Sequence, residues 1–501
     1  MTGKLEHLKN LLGEVADINY SAAVLSWDQQ VNMPPGGASA RAQQLSTLST
    51  LSHKKFTSDE MGAAIEDAKS EVDGMDDDSD EARLLKKTSH DYDKARKVTP
   101  EWVAEFSKLS SLGQVTWEKA REEDDFSKFL PSFEKIIELR KAYADFFKPW
   151  DSVYDPLLDD YEPGMKASQV KAVFDELRPK QIELVQDITE NGRPVDDAVL
   201  HLHWPEAGQW DFGVEVAKAI GFDFERGRQD KSVHPFTTNF STGDVRITTR
   251  FDTEFINTAI FGTMHEAGHG MYEQGTNPDF ERLPIGGGAS LAVHESQSRL
   301  WENLVGRSLP FWKAFYPRLK EIFPDNLKNV ALEDFYRAIN KVEPSLIRVE
   351  ADEATYNLHI MLRFEMELDL LEGRLSPADA PEAWNAKFEE FLGLTPPSNK
   401  LGILQDVHWS FGAVGYFPTY ALGNLVASQL WVKIKEDISD LEDQMEKGKF
   451  DDLLDWLRTN VHIHSSKYEP IELLKKVTGS GLEAQPYIDY LNDKFRAVYE
   501  I

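Results

Sequence analysis

A five-residue segment, His265-Glu266-Ala267-Gly268-His269, constrains this chain more than any other feature because it has the form H-E-x-x-H. The residues around it read as helix, and two histidines four apart on a helix project from one face, about one turn apart. Both imidazoles can then reach one metal ion, and tetrahedral zinc prefers such nitrogen ligands. Glu266 is placed to take a proton from water rather than to bind the metal. The segment predicts metal-assisted hydrolysis, most often of a peptide bond.

The same short pattern also occurs by chance in unrelated proteins, where a His–Glu pair on a helix is simply solvated. The surroundings separate the two interpretations. A catalytic zinc site needs a third protein ligand, apolar residues on the next helical turn and an open coordination position for water.

Composition excludes several classes of protein. The chain has 501 residues, 41% of them hydrophobic, and a formal net charge of −31, which argues against nucleic acids and anionic membranes as partners. It has no cysteine, so any metal must be held by histidines and carboxylates. The first residues lack the pattern of a signal peptide, and no stretch approaches the roughly 20 apolar residues of a membrane helix. We therefore expect a soluble cytoplasmic protein.

Most of the sequence reads as α-helix, because apolar residues recur at three- and four-residue spacing between polar ones. Clusters of Pro and Gly separate the helical segments, and no period of 20–50 residues indicates a solenoid. We predict a mainly α-helical fold. The clearest helical segments are residues 5–17, 102–122, 133–147, 167–188 and 425–438.

One region departs from the helical pattern. Residues 234–251 are rich in Thr, Phe, Val and Ile with partial alternation, and Ser241-Thr242-Gly243-Asp244 is a turn signal. We predict a short β-hairpin here, followed directly by the H-E-x-x-H helix, which should begin near residues 252–253. The free edge of such a strand can pair with an extended peptide through backbone hydrogen bonds.

Glu295 is the candidate third metal ligand. It follows a break at Gly286-Gly287-Gly288, and Ser290 is a suitable N-cap for the helix that carries it. Two antiparallel helices joined by this loop would bring Glu295 to the two histidines, which completes a His/His/Glu shell with one position left for water. His294 is a competing ligand. We prefer Glu295, because neighbouring residues on a helix point in different directions.

Six ordered segments between residues 234 and 409 resemble the signatures of a known family. The chain is similar to the thermostable metallocarboxypeptidases of the carboxypeptidase Taq family, peptidase family M32. The likeness extends to residues 27–34 and 415–420, and so covers nearly the whole chain. The six segments are His234-Pro235-Phe236, Asp244-Val245-Arg246-Ile247-Thr248, the H-E-x-x-H segment, His294-Glu295-Ser296-Gln297, Ile347-Arg348-Val349-Glu350-Ala351-Asp352 and Gln405-Asp406-Val407-His408-Trp409.

The resemblance implies a large, two-lobed, multi-helix fold with a deep active-site groove and a small β-sheet beside the H-E-x-x-H helix. It implies one peptidase domain over residues 1–501, with catalytic motifs in 234–420 and helices through about residue 69 as a lid over the groove. It further implies a homodimer that removes single C-terminal amino acids from peptides with broad side-chain preference.

Each site residue then has an expected role. His265, His269 and Glu295 would hold zinc, although cobalt or manganese suits the same nitrogen and oxygen ligands. Glu266 would be the general base and then the proton donor to the leaving amine. Arg348 would bind the substrate's terminal carboxylate, because a guanidinium pairs with a carboxylate through two hydrogen bonds. The alternative for Arg348 is a structural ion pair with Glu350, Asp352 or Glu353.

Tyr420 and His234 are candidates to hydrogen-bond the substrate carbonyl and the oxyanion that forms from it, as comparable residues do in similar peptidases. Either could instead be a packing residue. His408 is a further candidate for substrate binding. Asp244 and Arg246 are better interpreted as a structural support for the metal ligands.

The leading hypothesis is a metal-dependent carboxypeptidase that acts on short peptides. A metallo-oligopeptidase or endopeptidase with the same metal centre is the alternative enzyme. A non-catalytic peptide-binding protein is a third interpretation, against which the intact base and ligand residues argue.

Overall fold

The computed structural model describes residues 3–501 and is built mainly of helices, as predicted. Five of the helices match the five predicted segments, although two of these helices end before the predicted segment does: the helix at 133–147 ends at Asp145 and the helix at 425–438 ends at Asp437. In chain order the α-helices are α1 (Lys4–Val31), α2 (Ala38–Phe56), α3 (Asp59–Val72), α4 (Asp80–Lys97), α5 (Pro100–Glu122), α6 (Phe126–Asp145), α7 (Asp155–Leu158), α8 (Ala167–Asn191), α9 (Glu206–Ile220), α10 (Asn257–Gly275), α11 (Leu291–Arg299), α12 (Leu309–Ile322), α13 (Pro324–Leu327), α14 (Leu332–Ile339), α15 (Tyr356–Glu372), α16 (Ala380–Leu392), α17 (Pro418–Asp437), α18 (Leu441–Met445), α19 (Asp451–Asn460), α20 (Pro470–Thr478) and α21 (Gln485–Tyr499).

The predicted hairpin is present and belongs to a three-stranded sheet. The strands are β1 (Gly227–Lys231), β2 (Thr237–Ser241) and β3 (Asp244–Thr249), in the order β1-β3-β2. β3 is antiparallel to β2 and parallel to β1. The sequence did not predict β1 because its five residues, GRQDK, include no apolar side chain to alternate with polar ones.

The helix that carries H-E-x-x-H begins later than predicted. α10 starts at Asn257, not near residues 252–253. The backbone of the intervening segment is bound elsewhere: Trp204 N donates to Thr253 O at 2.7 Å, and Ile256 N donates to Leu200 O at 3.2 Å. These bonds hold residues 252–256 against the loop before α9 and use groups that a longer helix would need.

Two large apolar cores divide the molecule into two lobes. One core draws mainly on α6, α8, α15, α16 and α21, and the other on α9, α10, α12, α14 and α19. Two helices contribute to both: α11 places Ala292 in the first core and Val293 in the second, and α17 does the same with Leu425 and Val426. The predicted two-lobed architecture therefore has α11 and α17 at the seam between its lobes.

The N-terminal helices form a smaller apolar cluster of their own. Residues of α1, α3 and α4 pack together there, and Phe280 and Ile285 from the main body complete the cluster. Asp17 of α1 accepts two hydrogen bonds from Arg282 at 2.6 and 2.8 Å. At the other end of α1, Trp27 lies under the guanidinium of Arg246, 4.2 Å from its Cζ. Across residues 3–501, no helix has both the length and the apolar content to cross a membrane.

Candidate metal centre

The H-E-x-x-H segment lies where α10 packs closely against α11. The two variable positions are small for this reason: Ala267 is fully buried, and a Cβ on Gly268 would lie 2.7 Å from both Gln297 O and Ser298 Cα. α10 therefore presents His265 and His269 on the face that meets α11. The side chains of these two histidines are 18% and 17% exposed, so the face is also accessible from solvent.

α11 brings Glu295 to the two histidines. Ser290 caps this helix as predicted, and its side chain accepts a hydrogen bond from Val293 N at 3.1 Å. Glu295 Oε2 lies 3.5 Å from His265 Nε2 and 3.4 Å from His269 Nε2. Two ligand atoms of a tetrahedral ion with bonds of about 2.0 Å are roughly 3.3 Å apart. The three side chains therefore fit one divalent cation, and within residues 3–501 they are the group of acidic and histidine side chains that does so.

Neighbouring side chains orient both imidazoles. His265 Nδ1 is 2.8 Å from Glu302 Oε2, and His269 Nδ1 is 2.6 Å from His294 Nδ1. His294 Nε2 is in turn 2.7 Å from Glu273 Oε1. With each Nδ1 engaged, the Nε2 atoms are left to face Glu295, which is how support around a metal ligand selects its tautomer.

The sequence treated His294 as a rival ligand, and the structure places it behind His269 instead. Glu302 and Glu273 were not identified from the sequence at all. Glu273 is four residues after His269 on α10, so helical spacing places it on the same face. Glu302 follows α11 in a π-helical segment, Leu300–Val305, whose altered periodicity the sequence does not reveal.

The charges around the ligands favour a cation. Burial alone would raise the pKa of Glu295, but Arg299 and His265 hold it well below its usual range, so the carboxylate is ionised. Burial lowers the pKa of His269 to about 3, which leaves its imidazole neutral, as metal binding requires. Burial also opposes protonation of His265, but Glu295 and Glu302 outweigh it and raise that pKa to about 9. The carboxylates therefore attract positive charge to this position.

Glu295 itself is held on two sides. Arg299 Nε donates to its Oε1 at 2.7 Å from the next turn of α11. On the opposite side, α17 has no side chain at Gly423, where a Cβ would lie 2.5 Å from Glu295 Cγ. This glycine gives the carboxylate side chain the space it occupies.

Glu266, the candidate general base, is buried beside the histidines and tied to the sheet. Thr237 of β2 donates its hydroxyl to Glu266 Oε2 at 2.7 Å. Burial raises the pKa of Glu266 above its ordinary value, which brings a carboxylate closer to the range where it exchanges protons at neutral pH.

Arg348 forms an ion pair, although not with any of the three acidic neighbours in sequence. Its Nε and Nη2 donate to Asp406 Oδ1 at 3.1 and 3.0 Å, and its Nη1 donates to Tyr356 Oη at 3.0 Å. Arg363 donates to the other oxygen of the same carboxylate at 2.7 Å. Two guanidinium groups thus share one carboxylate, and the three side chains are all less than a tenth exposed.

Tyr420 and His408 lie in the same cluster as Arg348. The ring of Tyr420 is 5.1 Å from Arg348 Cζ, and its hydroxyl is 3.2 Å from that of Tyr416. His408 stacks on Tyr416 with ring centres 5.4 Å apart, and burial lowers its pKa to about 4. Arg348, Tyr420, Tyr416 and His408 therefore form one continuous cluster of contacting side chains.

The structure does not bring His234 into this cluster. Its side chain is exposed, in the segment between β1 and β2, where its carbonyl accepts a hydrogen bond from Ser232 Oγ at 2.7 Å. Arg246 and Asp244 form a two-bond ion pair, both bonds 2.9 Å long, on the strand next to β2. The guanidinium of Arg246 also lies over the rings of Trp27 and Phe240, so it connects β3 with α1 and β2.

Known proteins are similar to this chain over almost its whole length. The family model described as Carboxypeptidase Taq (M32) metallopeptidase matches residues 7–495. The chain is 42% identical to Thermostable carboxypeptidase 1 of Thermus thermophilus, over 99% of this chain and 98% of the relative. It is 38% identical to Carboxypeptidase 1 of Bacillus subtilis, over 98% of this chain and 97% of the relative.

A solved structure agrees with the sequence relatives. The crystal structure of an M32 carboxypeptidase from Deinococcus radiodurans R1 superposes with a TM-score of 0.97 at 39% identity, over 99% of this chain and 100% of that one. Sequence identities of 38–42% over nearly the whole chain show that these proteins share a family with this chain and not only a fold. The chain belongs to the carboxypeptidase Taq (M32) family of metallopeptidases and is a metal-dependent carboxypeptidase.

Proposed function

We propose that this enzyme removes single amino acids from the C-termini of peptides, with broad side-chain preference, and that His265, His269 and Glu295 hold its metal. The observation that carries the proposal is the approach of Glu295 Oε2 to both Nε2 atoms within 3.5 Å, beside a buried Glu266. A divalent cation at this position would supply Lewis acidity toward the scissile carbonyl. Zinc is our first choice, with cobalt and manganese as alternatives.

Glu266 is the proposed group that transfers a proton from the attacking water to the leaving amine. As a base it accepts a proton from the attacking water, whose oxygen bonds to the scissile carbonyl carbon. It then gives this proton to the amide nitrogen as the C–N bond breaks, so that the products are a free amine and a carboxylic acid, which loses the second water proton to the amine or to solvent at neutral pH. The hydroxyl of Thr237, 2.7 Å from Glu266 Oε2, fixes the direction of the carboxylate during both transfers.

Arg348 is our candidate for the carboxylate end of the substrate. Two arginines share the carboxylate of Asp406, so these three side chains carry one excess positive charge. Three of the five N–H groups of Arg348 are engaged by Asp406 and Tyr356, which leaves others for a second acceptor. An anion here would balance the buried charge, and a carboxypeptidase substrate always supplies one.

Tyr420, His408 and His234 are proposed to contact the remainder of the substrate. Tyr420 and His408 lie against Arg348 and the aromatic ring of Tyr416, which supports a place in the substrate groove. His234 is exposed in the segment before β2, so its side chain is accessible to a bound peptide. β2 is an edge strand, which supports pairing of its free edge with an extended peptide.

We also propose the broader organisation that the family resemblance implies. Residues 1–501 form one peptidase domain, and two copies of the chain form a homodimer in the cytoplasm. The helices through residue 69 act as a lid over the groove. The separate apolar cluster of α1, α3 and α4 supports the lid, because the buried apolar residues of these helices belong to neither of the two large cores. Efficient digestion of folded proteins would argue against a lid.

The decisive experiment combines a variant with a product ladder. Glu266→Gln should retain its metal content but lose activity by several powers of ten, since the base is gone. Glu254→Gln, an exposed carboxylate that pairs with His203, is the control and should behave as wild type. Full activity in Glu266→Gln would refute the assigned mechanism.

Mass spectrometry of digests separates the two enzymatic hypotheses. A peptide with a free C-terminus should shorten one residue at a time, and the same peptide with a C-terminal amide should resist digestion. Cleavage of internal bonds in the amidated peptide would identify an oligopeptidase instead. Metal binding without cleavage of either peptide would favour the non-catalytic interpretation.

A further inference from the structure

The two carboxylate oxygens of Glu295 have different surroundings. Oε2 faces His265 Nε2 and His269 Nε2 at 3.5 and 3.4 Å. Oε1 accepts a hydrogen bond from Arg299 Nε at 2.7 Å. Only Oε2 is therefore directed toward the metal position, and Oε1 is already engaged by a charged donor.

Arg299 cannot easily leave this position because it is held by two other contacts. Its Nη1 lies 3.3 Å from Glu302 Oε2, and its guanidinium stacks over the ring of Tyr356 with Cζ 4.5 Å from the ring centre. The side chain is only 13% exposed. The contacts with Glu295, Glu302 and Tyr356 therefore hold the guanidinium of Arg299 beside Glu295 Oε1.

We propose that Arg299 is a positioning residue that restricts Glu295 to binding the metal through one oxygen and so keeps the coordination number low. This inference rests on the proposed metal site. A carboxylate that binds through one oxygen suits a four-coordinate ion with three protein ligands and one open position. A carboxylate that binds through both oxygens adds a ligand, which suits ions that prefer oxygen-rich shells of higher coordination number, such as manganese.

A different explanation is that Arg299 only neutralises the buried carboxylates. Arg307 allows the two explanations to be separated. It approaches Glu302 Oε1 at 3.7 Å and covers the ring of Phe261, but it makes no hydrogen bond to Glu295. Loss of either arginine removes one positive charge near Glu302, whereas only loss of Arg299 frees Glu295 Oε1.

The test compares Arg299→Met, Arg299→Lys and the matched control Arg307→Met in the full-length protein. Each is stripped of metal and titrated with Zn²⁺ and Mn²⁺ against a chromophoric chelator, and the visible spectrum of each Co²⁺-loaded protein is recorded. Intense visible bands mark four-coordinate cobalt, and weak bands mark higher coordination numbers. Neither measurement depends on catalytic activity.

We expect the ratio of zinc to manganese affinity to fall about 10-fold in Arg299→Met, with weaker cobalt bands, since loss of a group that supports a ligand changes metal affinity by 10- to 100-fold. Arg307→Met should keep the wild-type ratio and spectrum. Arg299→Lys keeps a donor four residues from Glu295 and should restore most of the wild-type spectrum. An Arg299→Met protein with the wild-type ratio and spectrum would overturn the proposal, as would an equal change in Arg307→Met.

Wild-type protein gives a further check in case Arg299→Met does not fold. In a crystal structure with Mn²⁺ bound, Glu295 Oε1 should still be on Arg299, and direct contact of Oε1 with the ion would overturn the proposal. The proposed metal site fails separately, if wild-type protein binds Co²⁺ no better than Glu295→Ala. The two failures are therefore distinguishable.

Discussion

Gly268→Ala tests whether the close contact between α10 and α11 is what assembles the metal centre. The added Cβ would lie 2.7 Å from Gln297 O and Ser298 Cα, and both of these are backbone atoms that cannot rotate away. Ordinary contact of a carbon atom needs about 3.5 Å, so the helices must separate locally by roughly 0.8 Å. Overpacking of this kind costs about 1–3 kcal/mol.

The helix propensity of alanine offsets part of this cost. Replacement of a helical glycine by alanine gains about 1 kcal/mol, so the net loss in the free energy of unfolding is about 0–2 kcal/mol. The relative loss of metal affinity should be larger than the relative loss in the free energy of unfolding. Glu295 is on α11 and the two histidines are on α10, so separation of the helices moves one ligand away from the other two. Metal affinity should fall by roughly 10- to 100-fold.

Gly262→Ala is the matched control on the same helix. A Cβ at Gly262 would meet no atom within 4 Å. This variant should therefore gain up to about 1 kcal/mol from helix propensity and bind metal as wild type does. The assays are chemical denaturation of the metal-free proteins and metal titration. If Gly268→Ala binds metal with wild-type affinity, the close packing of α10 on α11 is not what positions Glu295.

Further predictions concern three other parts of the structure. Gly423→Ala should lower metal affinity with little change in α17 itself, because its Cβ would meet Glu295 Cγ at 2.5 Å; an unchanged metal titration would contradict this. Burial raises the pKa of Glu162 to about 8, so the stability contributed by its protonated form is complete below its unfolded pKa of about 4.5 and is lost as the pH rises through 8. Between pH 5 and 9, the free energy of unfolding of wild type should therefore fall by roughly 3–5 kcal/mol more than that of Glu162→Gln. Chemical denaturation measures both, and parallel plots of the free energy of unfolding against pH would refute this. Addition of metal at 100 times its dissociation constant should stabilise the metal-free protein by about 2.7 kcal/mol, and a thermal unfolding temperature that does not respond to metal would count against a site formed only in the folded state.

The sequence predicted that His265, His269 and Glu295 would lie together because their placement follows from local patterns. The i, i+4 spacing of His265 and His269 determines their common face on any helix, and Ser290 predicted the start of the helix that carries Glu295. Both relations depend on a few neighbouring residues. The same reasoning predicted the hairpin, since a turn and two alternating flanks are also local features.

The supporting residues were harder to predict because they depend on contacts between distant segments. Asp406 meets Arg348 and Arg363 from 58 and 43 residues away. No spacing rule connects them, so the sequence suggested acidic partners close to Arg348 instead. β1 was missed for a related reason: it is held by pairing with β3 rather than by any apolar pattern of its own.

The arginine pair at Asp406 has a practical consequence for anyone who handles this enzyme. A buried excess of positive charge attracts small anions in general. With Arg348 as the proposed binding group for the substrate's terminal carboxylate, we expect acetate, citrate and other carboxylate buffers to compete with peptides, and also the free amino acid that each turnover releases. The enzyme would then slow as its own products accumulate, and rates measured early in a digest would exceed those measured late.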